Sequence, residues 1–165
     1  MQGRAKRGAD DVRTILAFAA AWKTRDLDKV MGFLADDAIW ENVPIEVIAG
    51  KAAIRRKLSS VFGAATGFEW IVYEAARSPS GAVLTERLDV VIVKGKRVKL
   101  RLMGIFRVVD GRIALWRDYF DLQQYVGQLG QGHAQAGQHA QHGQPEQAAQ
   151  RLVDQRAGQG QQQVI

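Results

Sequence analysis

Apolar side chains recur three and four residues apart in the first third of the chain, and this spacing is typical of helices. The first such series is formed by Val12, Ile15, Leu16, Ala19 and Trp22. Asp10 and Asp11 favour a helix start, because the N-terminal end of a helix attracts negative charge. The helices predicted in this way cover residues 10–23, residues 27–34 after the capping residue Asp26, and residues 51–62 after Gly50.

After Gly67 the pattern changes to one that is typical of strands. Long strands are predicted over residues 68–74, 83–93, 97–108 and 113–121, and a short one over residues 38–40 before Pro44. Lys94-Gly95 and Asp110-Gly111 are signals for hairpin turns. Helices followed by a run of strands predict an α+β domain, in which three N-terminal helices pack on one side of a curved antiparallel sheet.

The composition changes near residue 130. Residues 131–165 consist mainly of Gln, Gly and Ala and contain no Phe, Trp or Tyr. Such a segment buries too little apolar surface to offset the entropy that ordering would cost. We therefore predict a folded domain over residues 1–129 and a low-complexity tail over residues 130–165.

The residue types that are absent narrow the possible chemistry. The 165 residues include no cysteine, which excludes disulfides, thiolate metal sites and a cysteine nucleophile. All three histidines lie after residue 130, so the predicted domain has no imidazole to bind a metal or to activate a nucleophile. Acid–base chemistry in that domain must use Asp, Glu, Tyr, Lys or Arg side chains.

The charge and hydropathy of the chain bear on its location and partners. A net charge of +6 permits weak attraction to nucleic acid or anionic membranes without establishing either. No apolar run approaches the roughly 20 residues that a membrane-spanning helix needs. Basic residues before the apolar run at residues 15–22 loosely resemble a signal peptide, but Asp10, Asp11 and Arg13 are unusual in one. We interpret this segment as an amphipathic helix and expect a cytoplasmic protein.

Three charged residues lie on strand faces where they could meet. Side chains two residues apart on a strand share a face, so Arg87 and Asp89 point the same way, and Asp118 shares a face with Trp116 and Phe120. The strand between them offers an unbroken apolar face, formed by Val98, Leu100, Leu102, Gly104 and Phe106. A carboxylate beside that face would be desolvated and its pKa raised unless it were paired, and Arg87 is the natural partner if the sheet curls.

Each of these residues also has an interpretation without a functional role. An Arg-x-Asp sequence on a strand is more often part of a solvated face, and Asp118 could be a surface residue beside Arg117. Trp116 on an apolar face is more often a core residue, and Asn42 near Pro44 is most often a turn residue. One further cluster consists of basic residues, namely Lys94, Lys96, Arg97, Lys99 and Arg101. It could bind phosphate, but it is better interpreted as a solvated hairpin.

Five short motifs occur in an order and spacing that carry a resemblance. They are residues 40–44 (WENVP), 86–89 (ERLD), 104–106 (GIF), 110–113 (DGRI) and 116–121 (WRDYFD). Together they resemble the limonene-1,2-epoxide hydrolase family, and the likeness extends over residues 10–125. The resemblance implies the cone-shaped α+β barrel that nuclear transport factor 2-like proteins, ketosteroid isomerases and polyketide cyclases share.

The resemblance also implies a role for each residue at a matched position. Asp118 looks like the base that deprotonates a water, Asp89 looks like the acid that protonates the epoxide oxygen, and Arg87 lies between them. Asn42 would help to hold the water, and Trp40 stands where the family normally has a tyrosine. One ionised and one protonated carboxyl group would provide the separated pKa values of a base and an acid. The implied reaction needs no metal and no cofactor.

The function implied by the resemblance is the addition of water to a small lipophilic epoxide to give a vicinal diol. The apolar pocket would be lined by Trp40, Val91, Leu100, Leu102, Trp116 and Phe120. An isomerase or cyclase on the same scaffold is one alternative, and a module that binds a lipophilic ligand without chemistry is another. We expect a homodimer with neither a nucleic-acid nor a membrane partner.

Overall fold

The computed structural model describes the backbone of residues 2–130 and the side chains of residues 10–128. The predicted low-complexity tail, apart from residue 130, lies outside the described residues. The domain boundary near residue 129 therefore stays a prediction.

Helices and strands account for most of the described part of the chain. The helices are α1 (Gln2–Trp22), α2 (Leu27–Met31), α3 (Lys51–Ala64) and α4 (Leu122–Gly130). The strands are β1 (Leu34–Asn42), β2 (Glu46–Ala49), β3 (Ala65–Arg77), β4 (Val83–Val93), β5 (Lys96–Val109) and β6 (Arg112–Phe120).

The strands form one six-stranded sheet in the order β2-β1-β6-β5-β4-β3. The predicted α+β class, with N-terminal helices and a curved sheet, is confirmed. The sheet is not closed into a complete barrel, because β2 and β3 remain as edges. It is also not purely antiparallel, since β1 pairs with β6 in parallel. This pairing joins the first and the last long strands and brings Asn42 beside Asp118.

Phe18 on α1 is the centre of an aromatic core against the inner face of the sheet. Its side chain is fully buried and meets Trp70, Phe106 and Trp116 edge to face, at centroid distances of 5.4, 6.2 and 5.4 Å. Such pairs contribute about 0.5–1.5 kcal/mol each beyond the burial of their area. They hold α1 against strands β3, β5 and β6.

Several element boundaries differ from the predictions. Helix α1 begins at Gln2 rather than near Asp10, and α2 ends after little more than one turn, where the chain extends into β1. The predicted cap is confirmed, since the Asp26 carboxylate accepts a hydrogen bond of 3.0 Å from the backbone N–H of Lys29. The short predicted strand at residues 38–40 is the inner part of the nine-residue strand β1.

Two elements, β2 and α4, were not predicted. The chain turns back after Asn42, whose carbonyl accepts a hydrogen bond of 2.8 Å from the N–H of Ile45, so Pro44 lies in a hairpin turn rather than at the end of extended structure. The only sequence signal for α4 is the helical spacing of its apolar residues, which are Leu122, Tyr125, Val126 and Leu129.

The two predicted hairpin turns are confirmed. Lys94 and Gly95 have φ values of 50° and 76°, and Asp110 and Gly111 have values of 48° and 74°. Two consecutive positive φ angles are the mark of a type I′ turn, whose twist matches that of the strands it joins. These turns join β4, β5 and β6 in an antiparallel meander, with one register shift between Arg107 and Val108.

Candidate active site

One row of residues crosses four strands on the inner face of the sheet. Asn42 on β1 is the register partner of Asp118 on β6, which pairs with Gly104 on β5, which pairs with Thr85 on β4. Residues that face each other across strands share a face of the sheet. The polar side chains of the row therefore converge on one side, and Arg87 follows Thr85 on the same face.

Arg87 binds both predicted carboxyl groups at once. Its Nε donates a hydrogen bond of 2.9 Å to Asp89 Oδ1, and its Nη2 donates one of 2.7 Å to Asp118 Oδ1. The remaining Nη1 donates to the hydroxyl of Thr85 at 3.2 Å. Since the Arg87 side chain is only 1% exposed, these bonds give each of the three guanidinium nitrogens one partner where no bulk water reaches.

Aromatic rings face the same guanidinium. The Arg87 Cζ lies 4.3 Å from the centroid of the Trp70 ring and 5.5 Å from that of Phe106. A cation at this distance from an aromatic face is attracted by the ring quadrupole, the more so where water is excluded. Trp70 is also the register partner of Asp89 on the neighbouring strand.

Asp118 is fixed through both of its carboxyl oxygens. Oδ1 accepts from Arg87, and Oδ2 accepts a hydrogen bond of 2.7 Å from the indole Nε1 of Trp116 on the same strand. Its backbone carbonyl accepts from the N–H of Val43 at 3.0 Å. Asp89 is held less completely: its Oδ1 accepts from Arg87, and no described residue donates to its Oδ2.

Burial dominates the protonation of this cluster. Desolvation raises the pKa of Asp89 to about 7, although the Arg87 charge lowers it, and the nearby Asp118 charge raises it further. Desolvation likewise raises the pKa of Asp118, against the opposing effects of Arg87 and Trp116. For Arg87, burial by itself would lower the pKa, but the charges and hydrogen bonds of Asp118 and Asp89 outweigh it and raise the pKa. If one of the two carboxyl groups is protonated, the cluster consists of one cation, one carboxylate and one neutral carboxyl group, and its net charge is zero.

A cavity of about 320 Å³ opens onto the two carboxyl groups. Among its lining residues are nine of the ten predicted site residues, namely Trp40, Asn42, Asp89, Val91, Leu100, Leu102, Trp116, Asp118 and Phe120. The tenth, Arg87, does not line the cavity and lies behind the carboxyl groups. The structure therefore brings nine of the predicted residues together around one cavity and places Arg87 directly behind two of them.

Other residues of the site escaped the sequence analysis. The period of two along a strand places Thr85 on the same face as Arg87, and it places Trp70 on one face of its own strand. Neither residue type, however, is diagnostic of a functional site. Glu46 and Lys57 form an ion pair that also lines the cavity, and they lie on the unpredicted strand β2 and on α3. Tyr125 lines the cavity from the unpredicted helix α4.

Trp40 has an unusual environment for a residue in a cavity wall. Its ring stacks on that of Trp116, with the centroids 4.5 Å apart and the planes at 14°. Its indole N–H is buried, and no described atom accepts a hydrogen bond from it. The amide of Asn42, by contrast, is half-buried at the cavity, with no hydrogen bond to any described residue. Of these two side chains, the Asn42 amide is the better placed to bind a water in the cavity.

The basic residues of the β4–β5 hairpin are all exposed, in agreement with their interpretation as a solvated hairpin. Arg97 pairs with Glu69, and Arg101 with Glu86. In the part of the chain that is described, no three His, Cys, Asp or Glu side chains lie close enough to hold a metal ion. None of the helices described has the length and apolar character to cross a membrane.

Comparisons with known proteins identify a family that matches most of this chain. The family model of the limonene-1,2-epoxide hydrolase catalytic domain matches residues 9–130. The epoxide hydrolase EphG of Mycobacterium tuberculosis is 41% identical over 106 residues, which are 64% of this chain and 70% of the relative.

Solved structures extend the comparison to the fold. A structure of an LEH-like epoxide hydrolase from M. tuberculosis matches with a TM-score of 0.66 and 37% identity, over 75% of this chain and 92% of that one. A protein with a ketosteroid isomerase-like fold from Catenulispora acidiphila, solved with trimethylamine, matches with a TM-score of 0.62 over 71% of this chain and 92% of that one. At 19% identity the second likeness concerns the fold alone. Because the family model matches most of the chain and the site motifs lie within the match, the chain belongs to the limonene-1,2-epoxide hydrolase family.

Proposed function

We propose that this protein is a cofactor-independent epoxide hydrolase, which adds water to a lipophilic epoxide in one step to give a vicinal diol. The observation that carries the proposal is the buried Asp89–Arg87–Asp118 cluster at the wall of a mainly apolar cavity. Opening an epoxide with water needs a base for the water and an acid for the departing oxygen. Two carboxyl groups on one guanidinium, which share one proton, supply both.

We assign the role of base to Asp118 and that of acid to Asp89. Asp118 accepts two hydrogen bonds at 2.7 Å, from a cation and from an indole, and these favour its ionised form. Asp89 accepts only one bond from a described residue, and burial raises the pKa of both carboxyl groups. Because fewer hydrogen bonds stabilise its ionised form, we assign the shared proton to Asp89, which has an oxygen free to present it to the cavity.

The proposed step balances without any further reactant. A water beside Asp118 and Asn42 attacks one epoxide carbon, and its proton passes to Asp118. The carbon–oxygen bond breaks, and the departing oxygen takes the proton of Asp89. The products are the diol, a protonated Asp118 and an ionised Asp89, and a proton transfer between the two restores the starting state. Arg87 stays cationic and binds one negative charge throughout.

The lining of the cavity supports a lipophilic substrate. Apolar side chains surround the carboxyl groups, and those predicted from the sequence are Trp40, Val91, Leu100, Leu102, Trp116 and Phe120. An apolar wall with a few convergent polar groups is typical of sites for small apolar ligands.

The expected homodimer also stays a proposal. The outer face of the sheet offers exposed apolar surface for it, at Ile71, Leu84, Met103 and Tyr119.

Binding without turnover is the second candidate function. The observation that favours it is Trp40, whose indole lines the same cavity as Asp118 and provides no hydrogen-bond acceptor for a water. An isomerase that needs a single base would leave the second carboxyl group and the guanidinium without a purpose.

The proposal is tested by incubating the protein with a panel of lipophilic epoxides in water enriched in heavy oxygen. We expect vicinal diols that carry one labelled oxygen. An isomerised carbonyl product would favour the isomerase, and a bound epoxide recovered unchanged would favour the binding module.

Replacing either carboxyl group by an amide removes one proton transfer. We expect Asp118→Asn and Asp89→Asn each to lower kcat by about 10²–10⁴-fold, because an amide neither accepts the proton of the water nor protonates the oxygen. Asp110→Asn is the matched control, since Asp110 is exposed in a hairpin turn that tolerates Asn. Turnover near that of the parent in either site variant would refute the two-carboxyl mechanism.

The rate should depend on pH through the same two groups. We expect kcat to fall as pH rises through about 7, because Asp89 then loses the proton that it donates. At low pH the protonation of Asp118 removes the base, so the profile is bell-shaped with limits that belong to the coupled pair. A rate that climbs steadily from pH 6 to pH 9 would contradict the assignment.

Stability provides a check of this pKa without substrate. The folded-state pKa of Asp89 lies above the unfolded value of about 3.8, so its contribution to the free energy of unfolding is present below pH 4 and is lost as pH rises to about 7. Asp89→Asn cannot ionise. Between pH 4 and pH 7, the free energy of unfolding of this variant should therefore rise relative to that of the parent by about 1.4 kcal/mol for each pH unit. Denaturant unfolding at pH 5 and pH 8 measures the difference.

Trp40 tests the water site. Trp40→Tyr supplies a hydroxyl that both donates and accepts. We expect about a tenfold rise in kcat on a typical lipophilic epoxide if one hydrogen bond of about 1.4 kcal/mol is restored in the transition state. Trp40→Phe is the matched control, because it makes the same room without the hydroxyl. An equal gain in both variants would assign the effect to volume, and a loss in Trp40→Tyr would show that the indole serves a different, working site.

A further inference from the structure

Arg87 reaches Asp118 by crossing a strand. Arg87 lies on β4 and Asp118 on β6, with β5 between them, and neighbouring strands are about 4.8 Å apart. In its own row, Arg87 faces Leu102. The guanidinium meets Asp118 in the next row, which holds Thr85, Gly104 and Asp118. The side chain of Arg87 therefore lies over the backbone of Gly104.

Gly104 leaves the space that this path needs. A Cβ on Gly104 would lie 2.7 Å from Thr85 Oγ1, 2.9 Å from Phe106 Cε2 and closer still to Arg87 Nη1. Side-chain atoms do not approach each other this closely. The φ angle of Gly104 is not positive, so the requirement for glycine here is one of space and not of backbone conformation.

Thr85 closes the same space from the other side. Its hydroxyl is buried and accepts the hydrogen bond of Nη1, the guanidinium nitrogen that points away from both carboxyl groups. Without an acceptor at this position, Nη1 would have no hydrogen-bond partner among the described residues, which is costly for a buried charged group.

We propose that Gly104 and Thr85 are positioning residues, which hold the Arg87 guanidinium in the one orientation that contacts both Asp89 and Asp118. The role in turnover rests on the proposed function, whereas the effect on the two carboxyl groups does not. Because the guanidinium is planar and rigid, a shift at Nη1 moves Nε and Nη2 together. Crowding by a methyl group at residue 104 therefore weakens the bonds to Asp89 and Asp118 at once, without touching either residue.

The first test is Gly104→Ala. We expect a fall in kcat of about 10²-fold, the scale of a displacement of about 1 Å in a catalytic group, with KM little changed because the apolar walls remain. Gly63→Ala is the matched control, since a Cβ there meets nothing within 4 Å and the residue lies on the exposed surface of α3. It should retain the kcat of the parent and should not lower the melting temperature, since alanine is a better helix former than glycine.

The second test compares two substitutions at Thr85. Thr85→Val keeps the shape but removes the acceptor for Nη1, and we expect kcat to fall by about tenfold, the loss that corresponds to one hydrogen bond. Thr85→Ser keeps the hydroxyl and should retain most of the rate. Equal losses in both variants would assign Thr85 a packing role only.

Carboxyl titration followed by ¹³C NMR separates this inference from the proposed function, because it needs no substrate. Arg87 lowers the pKa of both Asp89 and Asp118. If Gly104→Ala displaces the guanidinium, both titrations should move to higher pH, while those of Gly63→Ala should match the parent. Unchanged titrations in a folded Gly104→Ala protein would overturn the inference, whether or not the parent produces diols.

A double substitution covers the case in which Gly104→Ala is too unstable to titrate. Lysine has no Nη1, so the melting temperature lost on adding Gly104→Ala should be smaller in the Arg87→Lys background than in the parent. A loss of the same size in both backgrounds would mean that the methyl group does not act through Arg87, and would overturn the inference.

Discussion

The burial of one guanidinium constrains the centre of this molecule. Arg87 is 1% exposed, and a buried charge whose partner is removed costs about 3–5 kcal/mol. The chain therefore has to supply partners for every nitrogen of Arg87, and it does so from three directions with Asp89, Asp118 and Thr85. The same requirement that stabilises the cation brings two carboxyl groups to one cavity wall, so folding and the assembly of the candidate active site are one process.

The aromatic core determines how those carboxyl groups behave. Phe18 packs against the rings of Trp70, Phe106 and Trp116. Trp70 and Phe106 also contact Arg87, and Trp116 donates a hydrogen bond to Asp118. The rings exclude water from one side of the cluster, and the resulting desolvation raises the pKa of Asp89 to about 7 in spite of the cation. An exposed Asp-Arg-Asp set would hold two ionised carboxylates at neutral pH and would have no proton to donate.

Local pattern was enough to predict the parts of the site that lie on single strands. A period of two placed Arg87 with Asp89 and Asp118 with Trp116, because side-chain direction along a strand depends only on spacing. The row that joins Asn42 to Asp118 depends on the parallel pairing of β1 with β6. These two strands are far apart in the sequence, so local pattern does not predict their pairing. Strand β2 and helix α4, with their cavity residues, were missed because short elements give weak periodic signals, and Thr85 was missed because its residue type is ordinary inside a strand.

Trp40 lies one contact away from the proposed base. Trp40 stacks on Trp116 at 4.5 Å, and Trp116 donates its indole hydrogen to Asp118. A change of ring at residue 40 therefore bears on Asp118 in two ways, through the space open to a water and through the orientation of the donor that stabilises the ionised carboxylate. A tyrosine at residue 40 would add a hydroxyl, but it would also alter the stack that holds Trp116. The stacked pair lets a larger ring stand in the cavity wall while Asp118 keeps both of its hydrogen bonds.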